Sequence, residues 1–270
     1  MKITDPAFNN IRAVRKLVDE TGVVVPIDPD RVDVVLPASI EGGNRLAEIY
    51  LRTDVDASMR AVRQIKGDYG STGVKVGVGS CATSEHAQMA VEAGVDFIVS
   101  QGFYPHVLQI AAQAGVLYIP GVETPSEMGC AFEALCQAYP YGTEIPEGHG
   151  DLSLPELRQI LKFFPGYEMD ESTPRNGKFH GMAKSFSVHN LGFVIAGGID
   201  PVDPTTISVG ETDVSAQAWA RCQKVIGMTS SKLAKGSYAE INAIIQKATA
   251  LIQAGRRQQS PSSQFTRIED

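Results

Sequence analysis

In ILKFFPG, residues 160 to 166, a lysine stands among four large apolar side chains, Ile160, Leu161, Phe163 and Phe164. On a β-strand, side chains alternate, so Ile160, Lys162 and Phe164 share one face while Leu161 and Phe163 share the other. A parallel strand buried on both faces leaves such an ammonium no simple route to water. Two chemistries are then open to Lys162. Its tip can snorkel to a rim or pair with an acid. Alternatively, burial or a neighbouring cation lowers its pKa from about 10.4, and the free amine attacks a ketone to form a Schiff base.

A second stretch, RLAEIYLRT (residues 45 to 53), puts Leu46, Glu48, Tyr50 and Arg52 on one strand face. A carboxylate and a guanidinium on the same face can form a structural ion pair, since buried acids are nearly always paired. They can equally divide a reaction between them. Glu48 would move protons, and the Arg52 fork would hold a substrate carboxylate through two hydrogen bonds.

Elements that could position these groups recur along the whole chain. Strand-like runs fall at 22–27, 45–53, 75–80, 96–102, 117–122, 160–165, 192–198 and 205–210. Between them, Val55, Met59, Val62 and Ile65 repeat at helical spacing after a cap at Thr53 or Asp54, and Ala87, Ala90 and Val91 lead to a Gly94 stop. Strand alternating with helix predicts parallel strands joined by crossover helices, and eight units are the number that closes a ring. The expected fold is therefore an α/β (β/α)8 TIM barrel, a single domain over residues 1–255 with an N-terminal helix. A doubly wound open sheet is the competing architecture. Residues 237–254 carry an apolar stripe suited to a closing helix, and 256–270 are expected to form a disordered tail. Two Pro/Gly-rich polar segments, 138–158 and 167–180, flank the lysine strand as insertions of lid length.

Composition narrows the partners. The 270 residues carry a net charge of −7, which offers no basic field for a nucleic acid and favours a small-molecule partner. No apolar h-region follows the N-terminal lysine, and no apolar run approaches the length of a membrane span, so a cytoplasmic location is expected. Four cysteines without CxxC spacing and five scattered histidines predict core thiols and no metal site.

The succession AEIYLRT, VGVGS, LYIPGV, LKFFPG and IAGGID, collinear from about residue 45 to 199, resembles the 2-keto-3-deoxy-6-phosphogluconate (KDPG)/4-hydroxy-2-oxoglutarate (KHG) aldolases. These are class I enzymes on a (β/α)8 barrel. The resemblance implies Lys162 as the Schiff-base lysine, Glu48 as general acid/base and Arg52 as carboxylate ligand. Thr53, Ser80, Pro120, Gly121, Phe164, Gly197 and Gly198 would line the substrate. It also implies a cytosolic homotrimer that uses no cofactor.

Departures from the family pattern bear on the substrate. Ser80 stands where GxGT has threonine, and Ala196 replaces the threonine of TGGI. The late turn expected to hold phosphate corresponds to SVGETD, which places Glu211 there, while Asp28 and Asp30 end the first strand. An unphosphorylated 4-hydroxy-2-oxo acid is thus an alternative substrate. A catalytically reduced barrel that only binds a 2-oxo acid or a protein partner is an alternative function.

Overall fold

The computed structural model describes residues 5–51, 54–138, 159–163, 191–196 and 225–257. Nine strand segments form one sheet: β1 (Val23–Ile27), β2 (Leu46–Tyr50), β3 (Lys75–Gly79), β4 (Phe97–Val99), β5 (Leu117–Ile119), β6 (Gly121–Val122), β7 (Gln159–Phe163), β8 (Leu191–Ala196) and β9 (Val225–Thr229). The described helices are α1 (Asp5–Thr21), α2 (Val32–Glu41), α3 (Val55–Tyr69), α4 (Ser84–Ala93), α5 (Pro105–Ala114), α6 (Pro125–Ala138) and α7 (Tyr238–Arg257). The Val-rich β1 is buried at every position, as a strand covered on both faces must be.

Local chemistry sets the helix ends. The Asp54 carboxylate accepts from Ala57 N at 2.8 Å and opens α3, and the Thr83 hydroxyl accepts from His86 N at 3.1 Å and opens α4. Gly94 and Gly115 close α4 and α5 in the left-handed conformation. None of the helices among the described residues is long and apolar enough to cross a membrane.

Every strand pairing is parallel, in the order β5-β4-β3-β2-β1-β9-β8-β7-β6. The two ends of that order, β5 and β6, are successive pieces of one stretch of chain broken only at Pro120, which has no N–H to give to a ladder. The sheet therefore curls back so that its first and last members meet.

Seven of the eight strand-like runs read from the sequence correspond to β1 through β8, with 117–122 split in two. The eighth place is a correction. Between β8 and β1 lies Val225–Thr229, not 205–210, and residues 205–210 fall outside the described set. The turn that follows the last strand is therefore Ser230-Ser231-Lys232, and SVGETD with its Glu211 does not occupy that position.

One end of the sheet is plugged by charge. Asp96, 4% exposed at the foot of β4, accepts from Lys66 Nζ at 3.0 Å, Lys75 Nζ at 3.0 Å and Val76 N at 3.0 Å. Lys75 Nζ also donates to Asn10 Oδ1 at 2.9 Å, and Asn10 Nδ2 donates to Asp96 O at 3.0 Å, tying α1 beneath the strands. Removing the carboxylate leaves a buried amide donor unsatisfied and two lysines facing each other. Asp96→Ala should cost roughly 2–4 kcal/mol in urea unfolding. A loss below about 0.5 kcal/mol would mean the cluster is solvated rather than structural.

Candidate active site

Strand register determines which positions face one another. Glu48 pairs with Gly77, Gly77 with Phe97, and Phe97 with Leu117. Four residues further along that strand, Gly121 pairs with Lys162, then Lys162 with Val194 and Val194 with Gly227. Two residues on, Thr229 pairs with Val24, and two more reach Pro26, which pairs with Glu48. Four, two and two give a stagger of eight residues for one circuit, the shear that characterises a closed eight-stranded parallel ring.

With one residue of climb per strand, alternate strands contribute to a common layer. Lys162 lies four strands and four residues from Glu48 in either direction. Positions 48 and 162 therefore share a face, a level and opposite sides of the ring. Val99 and Thr229, at two strands and two residues, complete that layer.

The neighbouring layers differ in bulk. Below, toward the strand N-termini, stand Val24, Gly77, Ile119 and Val194, and the Phe97 ring fills the space in front of Gly77 so fully that a Cβ there would overlap it. Above, toward the C-termini, stand Pro26, Gly79, Gly121 and Ala196. That ring of small residues lies above the layer of positions 48 and 162, at the end where barrels of this kind hold their sites. Glu48, 1% exposed, reaches that ring, because a Cβ on Gly79 would overlap its carboxylate. Gly79 is thus required by close approach, and any side chain there would displace Glu48.

Several expected site residues find a place in this frame. Pro120 and Gly121 are buried, and Gly121 is the ladder neighbour of Lys162. Ser80 directly follows β3 with φ +64°, the one non-glycine residue of positive φ among the described residues. Arg52, Thr53, Phe164, Gly197 and Gly198 lie outside the described residues. The register adds Thr229 to the layer of Glu48, and Gln101 stands beside Ser80. Thr229 escaped the sequence reading because the last strand was assigned elsewhere, and Gln101 could have been found by continuing the alternation of Phe97 and Val99 past the end of β4.

The loops over the site are fastened by buried hydroxyls. Ser100 Oγ donates to Cys81 O, and the Tyr118 hydroxyl accepts from Tyr104 N at 3.1 Å and donates to Gly102 O at 3.3 Å. Burial pushes the Cys81 thiol from 9.0 up to about 12, opposed by a backbone hydrogen bond at Thr83. Burial likewise pushes Tyr118 from 10.0 up to about 12 against hydrogen bonds with Ser100 and Tyr104.

Both folded-state values lie above the unfolded ones, so the linked stability is fully present below about pH 9. It is lost as pH rises from about 9 to about 12. Urea midpoints across that range should fall steeply for the native chain and less steeply for Cys81→Ala combined with Tyr118→Phe. Parallel slopes would place the alkaline loss elsewhere. Among the described residues, no group of three or more His, Cys, Asp or Glu could hold a metal ion.

Comparison with known proteins locates the likeness. Residues 14–140 match the family model "Aldolase: KDPG and KHG aldolase". A 2-dehydro-3-deoxy-phosphogluconate aldolase of Treponema pallidum is 37% identical over 115 residues, 41% of this chain and 52% of that protein. The KHG/KDPG aldolase of Escherichia coli is 31% identical over 112 residues, 40% of this chain and 51% of that one. The chain thus spans about half the length of the curated relatives it matches. A crystal structure of 2-keto-3-deoxy-6-phosphogluconate aldolase from Zymomonas mobilis superposes with a TM-score of 0.64 over 88% of this chain and 97% of that one, at 19% identity. That likeness shows the fold, a TIM-like parallel α/β ring. Glu48, Ser80, Pro120 and Gly121 fall inside the matched segment 14–140, and Lys162 lies beyond it.

Proposed function

With the KDPG and KHG aldolase match over residues 14–140 as premise, we propose that this chain is a pyruvate-forming class I aldolase acting on 2-keto-3-deoxy-6-phosphogluconate or a related 4-hydroxy-2-oxo acid. The observation that carries the reading is the shared layer. Glu48 is buried, and the strand register puts position 162 four strands away at the same level, below positions 26, 79, 121 and 196. We read the ring as a complete (β/α)8 barrel over residues 1–255, working in the cytosol as a homotrimer, the assembly that the resemblance implies.

The chemistry follows from those two groups. The Lys162 amine adds to the C2 ketone of the substrate, and Glu48 carries protons as the carbinolamine loses water. The resulting iminium accepts the electron pair of the C3–C4 bond when the C4 hydroxyl is deprotonated. An aldehyde departs, and the enamine is reprotonated at C3. Water then hydrolyses the iminium, releasing pyruvate and restoring the amine. Arg52, Thr53 and Ser80 are assigned to the substrate carboxylate, Pro120, Gly121 and Phe164 to the pocket wall, and Gly197 and Gly198 to the far end of the substrate.

The corrected last strand favours a phosphorylated substrate. The turn after β9 carries Ser230, Ser231 and Lys232, hydroxyls and an ammonium suited to a phosphate, in place of an acidic Glu211. Following pyruvate release with a coupled dehydrogenase, we expect kcat/KM for 2-keto-3-deoxy-6-phosphogluconate to exceed that for its unphosphorylated form by roughly 100-fold, the effect of one or two lost charge-assisted hydrogen bonds. Equal values would remove the phosphate from the account. Absence of cleavage for these and for 4-hydroxy-2-oxoglutarate, which would give pyruvate and glyoxylate, would overturn the aldolase reading.

A further inference from the structure

Gln101 is exposed, yet the loop that carries it is fastened on two sides. Ser100 N donates to Ile119 O at 3.1 Å and its hydroxyl to Cys81 O, while the Tyr118 hydroxyl bridges Tyr104 N and Gly102 O. His106 Nε2 lies 3.0 Å from Ala82 O, joining the far side of the loop to the segment after Ser80. Cys81 N, the next amide after Ser80, donates to Val99 O at 3.2 Å. These contacts hold two short segments face to face, one ending in Gln101 and the other beginning with Ser80. Across the gap, Gln101 Nε2 donates to Ser80 Oγ at 3.5 Å.

Ser80 would face outward if the alternation of β3 continued. Its φ of +64° departs from the strand instead, a conformation that a residue with a Cβ adopts only when its surroundings impose it. Such departures concentrate where a side chain must be aimed. A hydroxyl has one proton to give and two lone pairs to receive with. When an uncharged amide donor occupies a lone pair, the proton is directed away from Gln101 and is available to an anionic oxygen.

We infer that Gln101 is a positioning residue that orients the Ser80 hydroxyl toward the carboxylate of a bound 2-oxo acid, and so sets affinity for the anionic end of the substrate. The inference rests on the aldolase reading and on Ser80 as a carboxylate ligand. It predicts an effect on binding with little on the covalent step. Gln101→Met keeps the length and removes the donor. Gln101→Glu presents only acceptors and adds a negative charge beside the carboxylate.

The test is borohydride trapping of pyruvate on the full chain, with adduct on Lys162 measured against pyruvate concentration. For Gln101→Met, the half-saturating concentration should rise about tenfold, the worth of one hydrogen bond to a charged group, with the maximal adduct unchanged. Gln101→Glu should raise it further. Ser80→Ala should also raise it, and Gln101→Met on that background should add little, because the two residues act as one unit. Trapping of acetone, a ketone without a carboxylate, should be the same in all forms. A wild-type half-saturation in Gln101→Met, or full additivity with Ser80→Ala, overturns the inference while leaving the aldolase intact. If the wild-type chain forms no adduct on Lys162, the aldolase reading fails and this inference falls with it.

Discussion

Lys162→Met is expected to lower the rate of the proposed aldol cleavage by a factor on the order of 10,000 or more, because in that mechanism its amine supplies the electron sink. General acid–base chemistry can still polarise the ketone, but without an iminium the C3–C4 electrons have nowhere favourable to go. Methionine matches the lysine stem in length and removes the amine, so the β7 ladder to Gly121 and Val194 is preserved. The check is a pyruvate-release assay beside a urea unfolding curve. A rate within tenfold of wild type would return Lys162 to a packing or ion-pair role.

Glu48→Gln is expected to reduce kcat by roughly 100- to 10,000-fold, the usual worth of a positioned proton carrier. The amide fits the space in front of Gly79 and keeps the buried volume, so folding is little changed. Schiff-base formation, iminium hydrolysis and enamine protonation all need a proton moved. The same variant should therefore slow borohydride trapping of pyruvate on Lys162 without abolishing it. Abolished trapping with unchanged stability would mean that Glu48 holds the lysine in place instead of carrying protons.

The strands and helix ends that would position the proposed site were legible in the sequence, for physical reasons. Lys162 and Glu48 announce themselves because a charge in an apolar strand demands a partner or a task. Asp54 and Gly94 mark helix ends by local hydrogen-bonding and backbone chemistry that needs no tertiary context. The facing of positions 48 and 162 is different in kind, because it depends on a stagger accumulated over all eight strands. No local pattern encodes that sum.

The last strand was misplaced for a specific reason. TTISV has the β-branched alternation of a strand, whereas VIGMT carries Gly227 in its middle, a residue strands usually avoid. The structure explains that glycine: a Cβ there would stand 3.2 Å from Gly22 O and 3.4 Å from Val18, where α1 joins β1. This close approach is tertiary and leaves no trace in periodicity. Ser80 is similar, since a left-handed serine cannot be told from an extended one by its neighbours in the chain. Correcting the strand also changes which turn follows it, Ser230-Ser231-Lys232 in place of SVGETD.

The central claim is a covalent bond between one lysine and a 2-oxo acid. Its most direct test is to incubate the chain with pyruvate and borohydride, weigh the intact protein and map the adduct by peptide mass spectrometry. The account predicts a single reduced pyruvate adduct on Lys162 that is absent in Lys162→Met. An unmodified Lys162, with pyruvate absent or attached to another amine, would contradict it.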